Sequence, residues 1–396
     1  MTTSVFLNRA TPPSIITLTL LAGVSALSMN IFLPSLPMMA QYFGVPYGVM
    51  QQSVSLYLAL SAVLQILIGP LSDRYGRRPI MLGALVLFLI ATLGTILAPT
   101  AGIFLGFRMM QAVVATGVVL SRAIVRDMVS DARAASMIAY VTMGMSIVPM
   151  IGPSIGGLLD EAFGWQASFG FLGICGALVL ALSYADLGET HAPSNISLAA
   201  QFRLYPRLLT SLRFWGYAGA AAFASGAFFA ALGGAPYVAS AVFGLTPAQT
   251  GLYFALIAVG YALGNFLAGR YSVRIGMNGM VVLGALIGVA AMAALAMVTL
   301  AGQSGAAVFF GLMSLIGVGN GIALPSANAG ILSARPDLAG SASGLGGAVM
   351  MAGGAGLAAL AGAVLHQGTG EMPLVLVMLG SASASVLCIL GVMRLR

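Results

Sequence analysis

Charge is scarce in this chain, and each charged side chain therefore narrows the chemistry. The 396 residues hold sixteen basic side chains, all arginine, against nine acidic ones, two histidines and two cysteines. No His/Cys/Asp cluster, Gly-Lys phosphate loop or pair of carboxylates at membrane depth is visible, so the chain is not expected to be an enzyme or to need a cofactor or metal. What remains is the binding and moving of small molecules and charge. Arg108 is the clearest instance. It sits about six residues inside an apolar run, roughly 9 Å along a helix at 1.5 Å per residue. A charge at that depth either faces the protein interior or a wet cavity, or snorkels to the interface on its long stem. Its candidate partners are carbonyls, Asn or Gln groups, Asp160 or Glu161 from the rim, or an anionic substrate.

A second set of residues suits the wall of a binding cavity. It comprises Asn30, Tyr57, Gln65, Gln111, Tyr140, Met143 and Met145 in the first half, and Phe228, Tyr253, Tyr261, Asn265, Asn320 and Asn328 in the second. Aromatic and Met side chains make an adaptable apolar surface, and a few amides fix orientation. For any single member, packing between helices or marking an interface is the stronger reading. The expectation attaches to the set, with Asn30, Tyr57, Arg108 and Tyr140 first.

These residues need elements to hold them. Hydrophobic residues make up 60% of the chain and charged ones 6%, against roughly a quarter charged in soluble domains. The 52 glycines suit helices that pack closely in lipid. Apolar segments lie near 14–38, 50–72, 79–98, 102–124, 134–158, 165–185, 213–237, 248–270, 277–300, 305–327, 340–364 and 373–393. Each approaches or exceeds the ~20 residues a spanning helix needs. Arg9, Arg74, Arg77, Arg78, Arg122, Arg126, Arg133, Arg203, Arg207, Arg213, Arg270, Arg274, Arg335, Arg394 and Arg396 all fall at loops of one parity. The opposite loops carry only Asp160, Glu161 and Glu371. By the positive-inside rule both termini are expected in the cytoplasm, in a bacterial-type inner membrane. The net charge of +7 then reports topology, not nucleic-acid binding. The first apolar run is too long for a signal peptide and is expected to stay as a helix. Cys175 and Cys388 are unpatterned and read as packing residues. A polar interval at 186–212 divides six segments from six. The expected organisation is a first bundle at 1–187, a cytoplasmic linker at 188–211 with a short surface helix, and a second bundle at 212–396.

One charged turn interrupts the apolar pattern: Gly69-Pro70-Leu71-Ser72-Asp73-Arg74-Tyr75-Gly76-Arg77-Arg78-Pro79. Gly76 permits a left-handed turn, Pro79 can start a helix, and Asp73 can face arginines or a helix N-terminus. Gly69, Ser72, Arg74 and Gly76 recur as Gly269, Ser272, Arg274 and Gly276, with Val273 in place of Asp73. The fifth segment contains Val148-Pro149-Met150-Ile151-Gly152-Pro153-Ser154-Ile155-Gly156-Gly157, whose glycines and prolines allow close approach and bending, as any Gly-rich membrane helix can.

The turn resembles the signature loop between helices 2 and 3 of the major facilitator superfamily, with a worn copy between helices 8 and 9. The fifth segment is similar to that superfamily's antiporter motif. Leu27-Ser28-Met29-Asn30-Ile31-Phe32-Leu33-Pro34, Leu324-Pro325-Ser326-Ala327-Asn328-Ala329 and Ala339-Gly340-Ser341-Ala342-Ser343-Gly344 resemble the bicyclomycin/chloramphenicol (Bcr/CflA) branch of drug exporters. The resemblance implies an all-α membrane protein of twelve helices in two six-helix bundles. It implies a monomer in the bilayer that exports small amphipathic, drug-like or antibiotic compounds by alternating access, usually in exchange for protons. It assigns gating to Gly69, Asp73, Arg74, Gly76, Arg77, Arg78, Gly152, Pro153, Gly156 and Gly157. Arg108-Met109-Met110-Gln111-Ala112 resembles the helix 4 motif whose arginine supports proton coupling. One departure stands out: Asn30 occupies the position where the branch commonly has an aspartate, and an amide carries no proton. A facilitator or organic-anion exporter that uses Arg108 without proton antiport is therefore the alternative, with a non-transporting receptor behind it.

Overall fold

The structure, a computed structural model, describes residues 6–129, 131–190, 205–335, 338–366 and 368–395. Between 131 and 150 it describes the backbone but only the side chains of Met137, Ile138, Val141 and Val148. The expectations for Tyr140, Met143 and Met145 lie outside the described side chains, and those for linker residues 191–204 lie outside the described chain.

In lipid the backbone must satisfy its own hydrogen bonds, and a helix does so within one segment. The described residues accordingly form helices and turns, with no strand. The long helices are α1 (Ile15–Phe43), α2 (Tyr47–Tyr75), α3 (Arg77–Ile96), α4 (Ala101–Met128), α5 (Asp131–Phe163), α6 (Gln166–Asp186), α7 (Leu212–Val242), α8 (Pro247–Ile275), α9 (Met277–Leu300), α10 (Ala306–Ser333), α11 (Ala339–Val364) and α12 (Met372–Arg394). Among the described residues, eleven helices are long and apolar enough to cross a membrane; α5, with 33 residues, has the length as well. Each expected segment coincides with one of these helices. Several run further than the apolar stretch, because hydropathy marks only the part that sits in hydrocarbon. The short helix Tyr205–Leu209 precedes α7.

Local sequence explains where the helices break. Ser14 starts α1 by accepting from the Thr17 amide at 3.2 Å. Pro34 has no N–H to give the carbonyl four residues back, so regular helix stops at Asn30 and resumes at Leu36 after a 3₁₀ turn. In α4 a second 3₁₀ turn, Ala112–Ala115, follows directly on Gln111. Both α2 and α8 stop at a glycine with positive φ, +95° at Gly76 and +79° at Gly276, so the repeated sequence builds the same sharp turn twice.

The halves meet along α2 with α11 and along α5 with α8, with further contact between α2 and α7. In the first half, Phe32, Phe43, Phe104, Trp165 and Phe169 form one aromatic cluster with ring centroids 5.5–5.9 Å apart. Such pairs contribute about 0.5–1.5 kcal/mol each beyond their buried area. They fix α1, α4 and α6 around the polar site described next. At the other end Asp186, fully buried, accepts from the amides of Leu7 and Ser14 at 2.8 Å and from the Thr17 hydroxyl at 2.6 Å. That carboxylate ties the end of α6 to the start of α1.

Candidate functional site

Arg108 lies on the last turn of α4 before its 3₁₀ break and is 1% exposed. Its Nε donates to the Ser53 carbonyl at 3.3 Å, and Nη2 donates to the Ser28 carbonyl at 2.8 Å. Nη1 donates to the Ser28 hydroxyl at 3.2 Å and to Gln111 Oε1 at 2.8 Å. The guanidinium carbon lies 4.2 Å from the centroid of Tyr57 and 4.4 Å from that of Phe32. Gln111 passes the chain on by donating to Thr92 Oγ1 at 2.8 Å, and Thr92 donates to the Phe88 carbonyl at 2.7 Å. A charge removed from water is tolerable when its donors are satisfied and its faces rest on aromatic rings. Carbonyls and an amide supply those partners, from among the candidates named above. The guanidinium neither snorkels outward nor lines a cavity; it sits one ring behind Tyr57.

Tyr57 is the wall between that charge and an inner cavity of about 450 Å³. The cavity occupies the half of the molecule toward the arginine-rich ends of the helices. Of the expected binding residues it brings together Tyr57, Gln65 and Asn328. Met29, Met350 and Met351 make its apolar surface, and Arg122 and Arg126 project into it from the last turns of α4. Gln65 reaches across from α2 to the backbone of α11 at Gly347.

A larger vestibule, about 1200 Å³, opens at the arginine-poor end between α1, α2, α7 and α11, with Gln52 and His366 among its lining. Between the two spaces the halves are joined by direct bonds. Tyr47 donates its hydroxyl to the Gly233 carbonyl of α7 at 2.6 Å, and its ring lies 5.0 Å from that of Tyr237. Gln51 donates Nε2 to the Ala358 carbonyl of α11 at 2.6 Å. On the other flank Ser154 of α5 donates to the Gly251 carbonyl of α8 at 3.1 Å. There the backbones touch: a Cβ on Gly157 would overlap the Pro247 carbonyl, and one on Gly251 would overlap that of Pro153. Gly156 is packed in the same way on the Ile31 carbonyl of α1, and Gly152 lies beside Asn30.

The charged turn holds the opposite end. Arg77 pairs with Asp73 at 2.5 Å and with Asp127 of α4 at 3.0 Å, and it also bonds the Ser72 hydroxyl. Ser72 in turn donates to the Gly69 carbonyl at 2.8 Å. Arg78 donates from Nε to the Leu187 carbonyl at 2.8 Å and stacks on Tyr184, while Arg74 lies over Tyr75. Glu189 accepts from the amides of Arg77 and Arg78 at 2.8 and 3.3 Å, which satisfies two of the free N–H groups at the start of α3.

The remaining expected residues lie elsewhere. Asn30 is buried and donates to the Ala26 carbonyl of its own helix at 2.7 Å. Phe228 packs beside Phe229, and Tyr253 stacks on Phe310 at 4.8 Å inside the second half. Asn320 borders a small void between α7, α9, α10 and α12. Asn265 donates to the Tyr261 carbonyl of its own helix, α8, at 2.9 Å. Sequence reasoning did not single out Tyr47, Gln51, Glu189 or the cavity-facing role of Arg122. The partners of Tyr47, Gln51 and Glu189 are more than a hundred residues away, and Arg122 reads in sequence as one more boundary arginine.

The sequence matches the family description Major Facilitator Superfamily over residues 18–359. It is 30% identical over 321 residues to the chloramphenicol resistance protein of Pseudomonas aeruginosa, covering 80% of this chain and 76% of that one. It is 28% identical over 381 residues to multidrug resistance protein D of Escherichia coli, covering 92% of each, and 27% identical over 270 residues to a bicyclomycin resistance protein homolog of Haemophilus influenzae, covering 67% and 68%. In fold it is similar to a bacterial homolog of the human lysosomal transporter Spinster in an inward-facing, occupied conformation, with a TM-score of 0.69, 17% identity, and coverage of 96% and 94%.

Proposed function

The chain is a member of the Major Facilitator Superfamily, and on that premise we propose that it exports small amphipathic compounds across a bacterial inner membrane by alternating access. One observation carries the reading: two cavities approach from opposite ends, and contacts between the halves, the bonds of Tyr47 to Gly233 and Gln51 to Ala358 among them, lie between the two. Rocking one bundle against the other about such a barrier exchanges which cavity reaches the central residues. In this reading residues 1–187 and 212–396 are the rocking bundles of a monomer and 188–211 is their cytoplasmic tether. The arginine-rich ends face the cytoplasm. Drug-like and antibiotic compounds are the first substrates to try, because relatives carry resistance names. Proton exchange is the driving force that the family resemblance supports.

A second reading, exchange of organic anions without proton antiport, is favoured by one observation. Among the described residues that line the inner cavity there is no carboxylate. Chloramphenicol flux into liposomes that hold the purified protein, with and without an imposed pH gradient, tests both. Flux above that of protein-free liposomes and accelerated by the gradient supports the exporter with proton exchange. Flux indifferent to the gradient removes proton exchange as the driving force and leaves the second reading. Binding with no flux makes the protein a receptor and overturns both.

A further inference from the structure

Two arginines enter the inner cavity, and neither is the one that the family resemblance emphasises. Arg108 has four donated bonds and two aromatic rings packed against it, so it has little left to offer a ligand. Arg122 and Arg126 differ. They are four residues apart on α4, on one face and about 6 Å apart along the axis. Both are exposed to the cavity they line. The cavity is lined from both halves, by Tyr57, Arg122 and Arg126 on one side and Asn328, Ser343 and Met350 on the other, so Arg122 lies where the two halves meet. The same cavity presents Met29, Met350 and Met351 as an adaptable apolar wall. Two like charges in a recess walled by protein attract a counter-ion more strongly than the same charges on an open surface. The molecule that satisfies both features has an apolar, aromatic-sized body and a single acidic head.

We propose that Arg122, supported by Arg126, is the recognition site for the acidic group of amphipathic organic anions, and that such anions are this protein's preferred substrate class. This rests on the exporter reading above and narrows it. The guanidinium of Arg122 takes a carboxylate or sulfonate through paired N–H donors while the methionines hold the body. Because the cavity is lined from both halves, an anion bound there touches both bundles.

Three probes with one aromatic body separate charge from shape: dansylglycine (anionic), dansylamide (neutral) and dansylcadaverine (cationic). Binding is read by dansyl fluorescence on the purified protein, and transport by counterflow in liposomes. Dansylglycine should bind and exchange several-fold better than the other two. Arg122→Gln should lower the dansylglycine-to-dansylamide ratio at least fivefold in both readouts, and Arg122→Lys should recover part of it. Arg122 is exposed to the cavity, so a fold intact by size exclusion is expected and is checked for each variant. Counterflow of dansylamide or dansylcadaverine in preference to dansylglycine overturns the anion assignment and leaves the exporter intact. Dansylglycine binding that depends on Arg122 but produces no counterflow keeps the anion site and overturns export. No Arg122-dependent difference among the probes, or no binding of any of them, overturns the proposal.

Discussion

Arg108 and Asn30 show how much a single side chain can carry inside lipid. Arg108→Ala removes four donated bonds and leaves the Ser28 and Ser53 carbonyls facing a void. Each buried acceptor left without a donor costs about 1–3 kcal/mol. The variant should insert, unfold at a lower temperature in detergent, and lose most of its flux. Arg108→Lys should recover only part of both, because a lysine keeps the charge but lacks the planar fork that meets four acceptors on three residues at once. Normal flux and normal melting in both variants would remove Arg108 from the mechanism. Asn30 makes a different test. Its amide donates to the Ala26 carbonyl while packed beside Gly152. A protonated acid can make the same bond and an ionised one cannot. Asn30→Asp should therefore add a pH dependence to that of the parent, with flux falling as pH rises and the acid loses its proton. Parallel pH profiles of parent and variant would refute this. The unusual character of both residues was legible in the sequence, because charge and amide content in an apolar run are visible without a structure. Their partners were not, since Ser28 and Ser53 reach Arg108 only through the packing of three helices.

The helices themselves were largely legible, for a physical reason. A segment that must bury its backbone in hydrocarbon needs a long apolar run, and loops must carry whatever charge there is. The breaks were harder to see. Pro34 announces the interruption in α1, but nothing in Ala112-Val113-Val114-Ala115 announces the 3₁₀ turn in α4. The charged turn between α2 and α3 lies between these extremes: its residues stand out, while Asp127 and Glu189, which complete it, come from the end of α4 and from the segment that follows α6. Asp73→Asn should weaken the hold of Asp73 on Arg77 and lower transport of every substrate alike, with binding largely retained. The pair is part-exposed, so its contribution to stability is small, roughly 1 kcal/mol or less. A large loss of flux with little loss of melting temperature is the expected signature. Val273, the matching residue of the second copy, is 94% exposed, and changing it to Asn should do little. Substrate-selective effects of Asp73→Asn, measured on two unlike compounds, would place this residue in recognition instead.

At the scale of the whole molecule, the bonds between the halves set how readily it opens at its arginine-poor end. Tyr47 to Gly233 and Gln51 to Ala358 both cross from α2 to the second half, and both must break for the vestibule to reach Tyr57. Neutral hydrogen bonds contribute about 1 kcal/mol each, so losing both shifts the open-to-closed ratio by roughly 2 kcal/mol, about 30-fold. Tyr47→Phe keeps the ring against Tyr237, and Gln51→Leu keeps most of the volume, so the double variant removes bonds more than packing. Ser61 lines the inner cavity and makes a suitable reporter once Cys175 and Cys388 are replaced. In the parent, a membrane-impermeant maleimide added from the arginine-poor side should label Ser61→Cys slowly. In the double variant the labelling rate should rise by an order of magnitude or more, because only the open population reacts. Transport should fall, since a cycle biased to one side returns slowly. Should labelling stay slow while transport continues unimpaired, these two bonds are not the barrier, and the close backbone contact of α5 with α8 at Gly157 and Gly251 becomes the element that keeps the end closed.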